Sequence, residues 1–356
     1  MKNYTTLRLA IDIGGTFTDT VMMNQDGSVV ASTKTLTTHE NPANGALEGA
    51  KRALDSVSGS MADVSGFIHG TTLATNALLE KRGARVATIT TEGFRDILEI
   101  AYERRFSQYD INLQKTDLLV TRERSLTVPE RMSASGDVLL PLDESCVQGL
   151  LDTLEAVGAE AVAICLIHAY ANPAHEERLR ALLHAARPDL VISISSEVSP
   201  EAREFDRLCT TVANAYIQPL MARYLDAFAA QFASEGITCP ILMMTAGGGM
   251  TTIQTAAQFP IRLVESGPAG GAILAARIAA ENDLDEVLSF DVGGTTAKLC
   301  LIDNAQPQTS RHFEIGRAAR FIKGSGMPVR IPVIEMIEIG AGGGSIADVD
   351  RLGRLT

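Results

Sequence analysis

Two short stretches hold residues that could do chemistry together. Asp12, Gly14, Gly15 and Thr16 stand in "LRLAIDIGGTFTDT", and Asp291, Gly293, Gly294 and Thr295 stand in "LSFDVGGTTAKL". The two copies align without a gap, at a constant step of 279 residues from Asp12 to Asp291. Each aspartate closes an apolar, strand-like run, and each glycine pair opens a second one. Glycines without a Cβ let the backbone turn tightly and approach an anion. The N–H groups of such a turn point into a concavity that suits phosphate oxygens. The threonine hydroxyl adds a donor. An aspartate repels phosphate but can hold Mg²⁺, which bridges to it. Either stretch alone would pass for an ordinary glycine-turn hairpin. As a matched pair they point to a grip on a nucleotide's phosphate tail from both sides.

The elements that must position these residues alternate between strand-like and helix-like patterns. Strands are expected at 7–13, 18–23, 29–35, 67–69, 85–90, 161–167, 190–195 and 241–244. Helices are expected at 44–57, 72–81, 144–157, 174–186 and 268–281. A long helix over 200–233 contains Pro219, which is expected to kink or break it. The segment from about 94 to 144 is less regular. Alternation of this kind implies an α/β protein whose sheets are covered by helices, with a boundary near residue 196.

Composition sets limits. The 356 residues are long enough for two ordinary domains, and 46% of them are hydrophobic. A net charge of −12 argues against a nucleic-acid surface and against adhesion to anionic membranes. No run reaches the roughly 18 apolar residues of a membrane span. The five cysteines are widely spaced, with no CxxC pair. That pattern disfavours a disulfide framework or zinc site and fits a reducing, cytoplasmic setting. No P-loop, no GxGxxG after a strand, and no HExxH or GxSxG is present.

The paired hairpins resemble the two phosphate motifs of the actin, Hsp70 and sugar-kinase ATPase superfamily. The whole chain is more specifically similar to the A-subunit family of hydantoinases and 5-oxoprolinases, which includes the β subunits of acetone and acetophenone carboxylases. The stretches behind this resemblance are "DIGGTFTD", "HGTTLATNALLEKRGARVATITTEGFRDILEI", "CLIHAYANPAHE", "SSEVSPEAREFDRLCTTVANAYIQP", "ESGPAGG", "DVGGTTAK" and "GAGGGSIADVD". The resemblance implies duplicated actin-like (ribonuclease H-like) ATPase domains. The first, 1–196, would hold the phosphate-1 hairpin. The second, 197–356, would hold the phosphate-2 hairpin and be incomplete, because the family's "FGGAG"-like adenosine motif is absent.

The resemblance also implies ATP and Mg²⁺ as cofactors and a hydantoinase B-type subunit as partner, together with a missing C-terminal portion. The reaction it implies is opening of a cyclic amide or imide through a phosphorylated intermediate. Carboxylation of a ketone is the alternative, and a small-molecule kinase or a non-catalytic nucleotide switch are others. Asp12 and Asp291 fall on the metal-facing aspartates. Gly14, Gly15, Thr16, Gly293, Gly294 and Thr295 fall on the phosphate turns.

Other residues have both a functional and a structural reading. His69, Thr71, Thr72 and Asn76, in "HGTTLATN", stand where a strand meets a helix and could contact substrate or phosphate. They could equally cap the helix and pack. Glu265, before "SGPAGG", could orient water or metal, or simply end a strand. Ser266 and Gly267 open the next helix and are expected to contact an anion. His168 and His175 do not form a metal pair. Arg104 and Arg105, after Glu103, could recognise a substrate carboxylate, but read rather as a solvated charge run. Lys298 stands where the first copy has Asp19, so the two hairpins are not equivalent.

Overall fold

The computed structural model describes residues 6–38, 40–103, 107–113, 117–293, 296–317, 324–340 and 342–354. Three strands, β1 (Leu7–Ile13), β2 (Phe17–Met23) and β3 (Val29–Leu36), form an antiparallel meander. In β1, Leu7, Leu9, Ile11 and Ile13 are buried while Arg8 and Asp12 face outward. This period of two lets one face join the core and the other carry chemistry. Helix α1 (Pro42–Ser56) starts where the Asn41 side chain accepts a hydrogen bond from the Ala43 N–H, with Pro42 in its first turn.

The chain then crosses to β4 (Val64–Thr71), which lies parallel to β1 on the side away from β2. Helix α2 (Leu73–Leu79) leads to β5 (Val86–Thr91). A less regular region follows, with α3 (Ile97–Ile100), β6 (Ser125–Val128), β7 (Arg131–Met132) and β8 (Val138–Leu140). Helix α4 (Val147–Ala156), β9 (Ala161–Cys165), α5 (Ala174–Ala186) and β10 (Val191–Ile194) complete a second, all-parallel sheet in the order β10-β9-β5-β6. Every residue of β5 and β9 is buried. Continuous apolar strands of this type are typical of a parallel sheet covered on both faces.

After α6 (Ser195–Val198), helix α7 (Glu204–Ser234) runs without interruption for 31 residues. Pro219 lies inside it and does not break it. The proline forfeits one intrahelical hydrogen bond, but both flanks are anchored in the core by Ile217, Met221 and Leu225. Strands β11 (Ile241–Met244) and β12 (Met250–Thr252) return to the first sheet, in the order β12-β11-β4-β1-β2-β3. The main core joins residues of β1 and β4 to residues of β9 and α7. Residue 196 falls within α6, and this core draws residues from both sides of it.

Helix α8 (Ile253–Gln258) precedes α9 (Ser266–Glu281), and the second hairpin follows as β13 (Glu286–Val292) and β14 (Ala297–Asp303). β15 (Gln306–Pro307) and the strand Ile337–Ile339 both pair with β14. Among the described residues, no helix is long and apolar enough to cross a membrane.

Candidate active site

The repeat seen in the sequence is also a repeat of hydrogen bonds. In the first hairpin the Gly14 N–H donates to the Phe17 carbonyl at 2.9 Å, and in the second the Gly293 N–H donates to the Thr296 carbonyl at 2.9 Å. Across the first ladder Asp12 lies opposite Asp19, and across the second Asp291 lies opposite Lys298. Gly294 and Thr295 lie outside the described residues. Gly15 and Thr16 are exposed at the first turn. The turn is braced from behind, because the Thr37 hydroxyl donates to the Gly14 carbonyl at 2.9 Å and its N–H to the Thr16 carbonyl at 3.0 Å. The Gly343 N–H of the "GAGGGS" loop donates to the Gly293 carbonyl at 2.9 Å, which brings that loop to the second turn.

Asp12 lies near the end of β1, beside the first turn. Its side chain reaches solvent but has protein on most sides. Its carboxyl is held above the usual range, first by burial and then by the charges of Asp19 and Asp291. The two hairpins therefore bring their aspartates close enough to repel each other. A Cβ at Gly70 would lie 2.8 Å from Asp12 Oδ1, and one at Gly267 would lie 3.9 Å from Asp12 Oδ2. A side chain at 70 would displace the carboxylate, and the start of α9 faces the same group.

The first residues of α9 are arranged unusually. Glu265 precedes the helix with φ 66°, the left-handed region that side chains adopt at a cost. Its N–H donates to Thr75 Oγ1 on α2 at 3.1 Å. Its carboxylate does not cap the helix but pairs with the Lys298 ammonium of β14. The Ser266 hydroxyl is buried and has no hydrogen-bond partner among the described residues. Glu265, expected either to orient water or metal or to end a strand, is paired with a cation here.

The "HGTTLATN" motif divides in two. Thr72 and Asn76 reach the first hairpin. Thr72 Oγ1 donates to the Ile13 carbonyl at 3.3 Å, Asn76 Nδ2 donates to Thr72 Oγ1 at 3.3 Å, and a Cβ at Gly15 would lie 3.8 Å from Asn76 Nδ2. His69 and Thr71 do not face a substrate; both side chains are in the core. The His69 ring stacks on Phe228 at 4.2 Å and 4°. Its Nδ1–H donates to the Ile11 carbonyl at 3.2 Å, so Nε2 accepts from the Tyr224 hydroxyl at 2.7 Å. Burial pushes its pKa down to about 4, keeping the ring neutral at pH 7. The reason is β-strand alternation: His69 points to the α7 face of the sheet, and Gly70 to the Asp12 face. The same constraint puts Thr71 on the α7 side.

Two family profiles cover most of this chain. The hydantoinase/oxoprolinase N-terminal region matches residues 8–186, and the hydantoinase/oxoprolinase profile matches residues 207–356. The chain belongs to the hydantoinase/oxoprolinase family. Within it, a protein of Methanocaldococcus jannaschii with no assigned function is 37% identical over 97% of this chain and 51% of its own length. The caprolactamase subunit alpha of Pseudomonas jessenii is 32% identical over 98% of this chain and 49% of its own. The acetophenone carboxylase gamma subunit of Aromatoleum aromaticum is 31% identical over 96% and 48%. The crystal structure of the ATP-dependent caprolactamase from Pseudomonas jessenii superimposes with a TM-score of 0.85 at 30% identity, over 98% of this chain and 50% of that one. The chain thus spans about half the length of these relatives. The actin-like α/β architecture agrees with these matches.

Some features of this family member lie apart from the hairpins. A cavity of about 610 Å³ is lined by Leu98, Ala101, Phe205, Cys209, Val212 and Met327, among others. It meets α7 near Cys209, about 22 Å along the helix from Tyr224 at a rise of roughly 1.5 Å per residue. His175 Nδ1 pairs with the buried Glu130 at 2.8 Å, and His168 Nδ1 bonds the Tyr170 hydroxyl at 3.1 Å, so both histidines are structural. Arg104 and Arg105 lie outside the described residues. Sequence reasoning did not assign functional places to Asp19, Thr75 or Lys298. Only Lys298 left a signal, as the position where the repeat changes sign.

Proposed function

We propose that this chain is the nucleotide-handling part of an ATP-dependent enzyme that opens a cyclic amide or imide. The convergence of Asp12 and Asp291 from two duplicated hairpins is the observation that supports this most directly. The P. jessenii caprolactamase relative supports the substrate class.

The residues present fit a divalent cation. Burial first, and then the neighbouring carboxylates of Asp19 and Asp291, hold Asp12 above its usual range, and a bound cation would relieve that repulsion. Among the described residues no three or more His, Cys, Asp or Glu side chains form a ready-made metal cage. Mg²⁺ fits this sparser donor set, because it usually keeps waters and takes phosphate oxygens as ligands. Asp12 and Asp291 would hold it, and when bound it supplies charge neutralisation between phosphate oxygens.

The chain's own groups then position the nucleotide. The Gly14 and Gly293 N–H groups close the two turns, and the N–H groups of Gly15 and Gly294, with the hydroxyls of Thr16 and Thr295, hold the phosphate tail. Ser266 and Gly267 present the positive end of α9 to an anion. Thr72 and Asn76 support the first turn. Phosphorylation of the amide oxygen of a lactam would turn a poor electrophile into one that water can open. The relatives' extra length and the "subunit" in their names support a further C-terminal portion and a B-type partner. The unpaired cysteines among the described residues fit a reducing cytoplasm.

Phosphate release by the complete enzyme with its partner, across lactams, hydantoins, 5-oxoproline and ketones, tests the reading. Release stimulated by a lactam or hydantoin and lost in Asp12→Ala supports it. Release stimulated only by a ketone with bicarbonate would favour a carboxylase instead, the second reading, which the A. aromaticum relative supports.

A further inference from the structure

We propose that Lys298 is the cation that meets the terminal phosphoryl group of the nucleotide, and that Glu265 holds it in place until that group arrives. This rests on the nucleotide-dependent reading above and names the residue that discriminates ATP from ADP. The two ladders are superimposable in register, and one position in them changes sign. Asp19 faces Asp12 in the first, and Lys298 faces Asp291 in the second. The cation of the first hairpin, Lys34, sits on Asp19 at 3.1 Å with 58% of its side chain exposed. Lys298 is largely withdrawn from water, with 16% of its side chain exposed, and its partner Glu265 shows 30%.

Glu265 adopts a costly backbone conformation and still leaves its helix uncapped, because its carboxylate is turned to Lys298. Two N–H donors of the first turn, Ser266 and Gly267, have no intrahelical acceptor, and Pro268 has no N–H. The Ser266 hydroxyl is buried without a partner among the described residues. Two backbone N–H groups, a hydroxyl and an ammonium match the oxygens of a phosphoryl group better than the two of a carboxylate. The Glu265 carboxylate occupies the ammonium until such a ligand takes it over, and is released when it does.

Affinities for Mg²⁺–ATP and Mg²⁺–ADP, measured by calorimetry on the complete enzyme, test this. Lys298→Met is expected to weaken ATP at least tenfold more than ADP. Glu265→Gln, which frees the ammonium, is expected to bind ATP at least as tightly as wild type. The swapped variant Glu265→Lys/Lys298→Glu keeps an ion pair and a wild-type melting temperature, yet is expected to bind ATP as poorly as Lys298→Met. An ATP-to-ADP ratio in Lys298→Met within twofold of wild type overturns the proposal, as does a swapped variant with wild-type ATP affinity. Those outcomes leave the nucleotide reading standing. A wild-type enzyme that binds neither nucleotide overturns both.

Discussion

The two hairpins share a ladder and differ in their surroundings. Ile11 and Phe290 occupy the same register position, and they are 2% and 62% exposed. In the first hairpin, β1 is flanked by β2 and β4, and its apolar row lies against the core that α7 fills. In the second, β13 has β14 as its strand neighbour among the described residues. α9 covers one face of that sheet, while Leu288, Phe290 and Val292 point outward on the other. The turn and the pairing are thus written locally, in the glycines and the period of two. Burial is decided by segments far away in the chain. Over these residues the same local code is buried in one copy and exposed along one face in the other.

That contrast can be broken most severely at the aspartates. Asp12→Ala in the complete enzyme is expected to cut ATP hydrolysis by about a thousandfold, and Asp291→Ala by about a hundredfold, the range seen when preorganised charge is removed. Steady-state phosphate release checks the order. The reverse order would mean that the more exposed hairpin carries the chemistry.

The packing beneath the first hairpin gives the next largest effect. His69 is neutral in the fold, with its pKa lowered to about 4 from an ordinary 6.5. The unfolded chain takes up a proton below about pH 6.5 and the folded chain does not. His69 therefore leaves stability intact above that pH and removes it progressively as pH falls towards 4, by about 3 kcal/mol in all. Denaturant midpoints across that window should fall for wild type and flatten in His69→Gln.

Equivalent glycines sharpen the comparison further. A Cβ at Gly14 would lie 3.0 Å from the Phe17 carbonyl, whereas one at Gly293 would lie 3.6 Å from that of Thr296. Gly14→Ala is expected to cost about 1 kcal/mol and Gly293→Ala close to nothing, by thermal unfolding. The smallest change is expected from Lys34→Ala. Its pair with Asp19 is exposed, and such pairs are worth less than about 1 kcal/mol.

Much of this arrangement is legible in the sequence where the signal is local. Alternation in "LRLAIDI" and helical spacing in "AHEERLRALLHAA" define strand 7–13 and helix 174–186 with the bounds seen in the structure. The repeat announces both turns. Pro219 does not break the helix, because the core holds both halves of it. His69 misleads for a related reason. Its partners Tyr224 and Phe228 arrive from a helix more than 150 residues away, and no spacing near His69 reveals them. The Glu265–Lys298 pair likewise spans 33 residues and two elements.

A duplicated cleft with identical walls would present the same potential from either side, and a chain of phosphates could lie in it in either direction. The change of one ladder position from Asp19 to Lys298 removes that ambiguity. Counting Lys34 on Asp19 and Glu265 on Lys298, both walls carry one net negative charge, but the ammonium lies on the neighbouring strand β3 in one and directly opposite Asp291 in the other. The field across the cleft therefore has a head and a tail. A linear polyanion entering it experiences a sense of direction that the fold, being a repeat, does not possess.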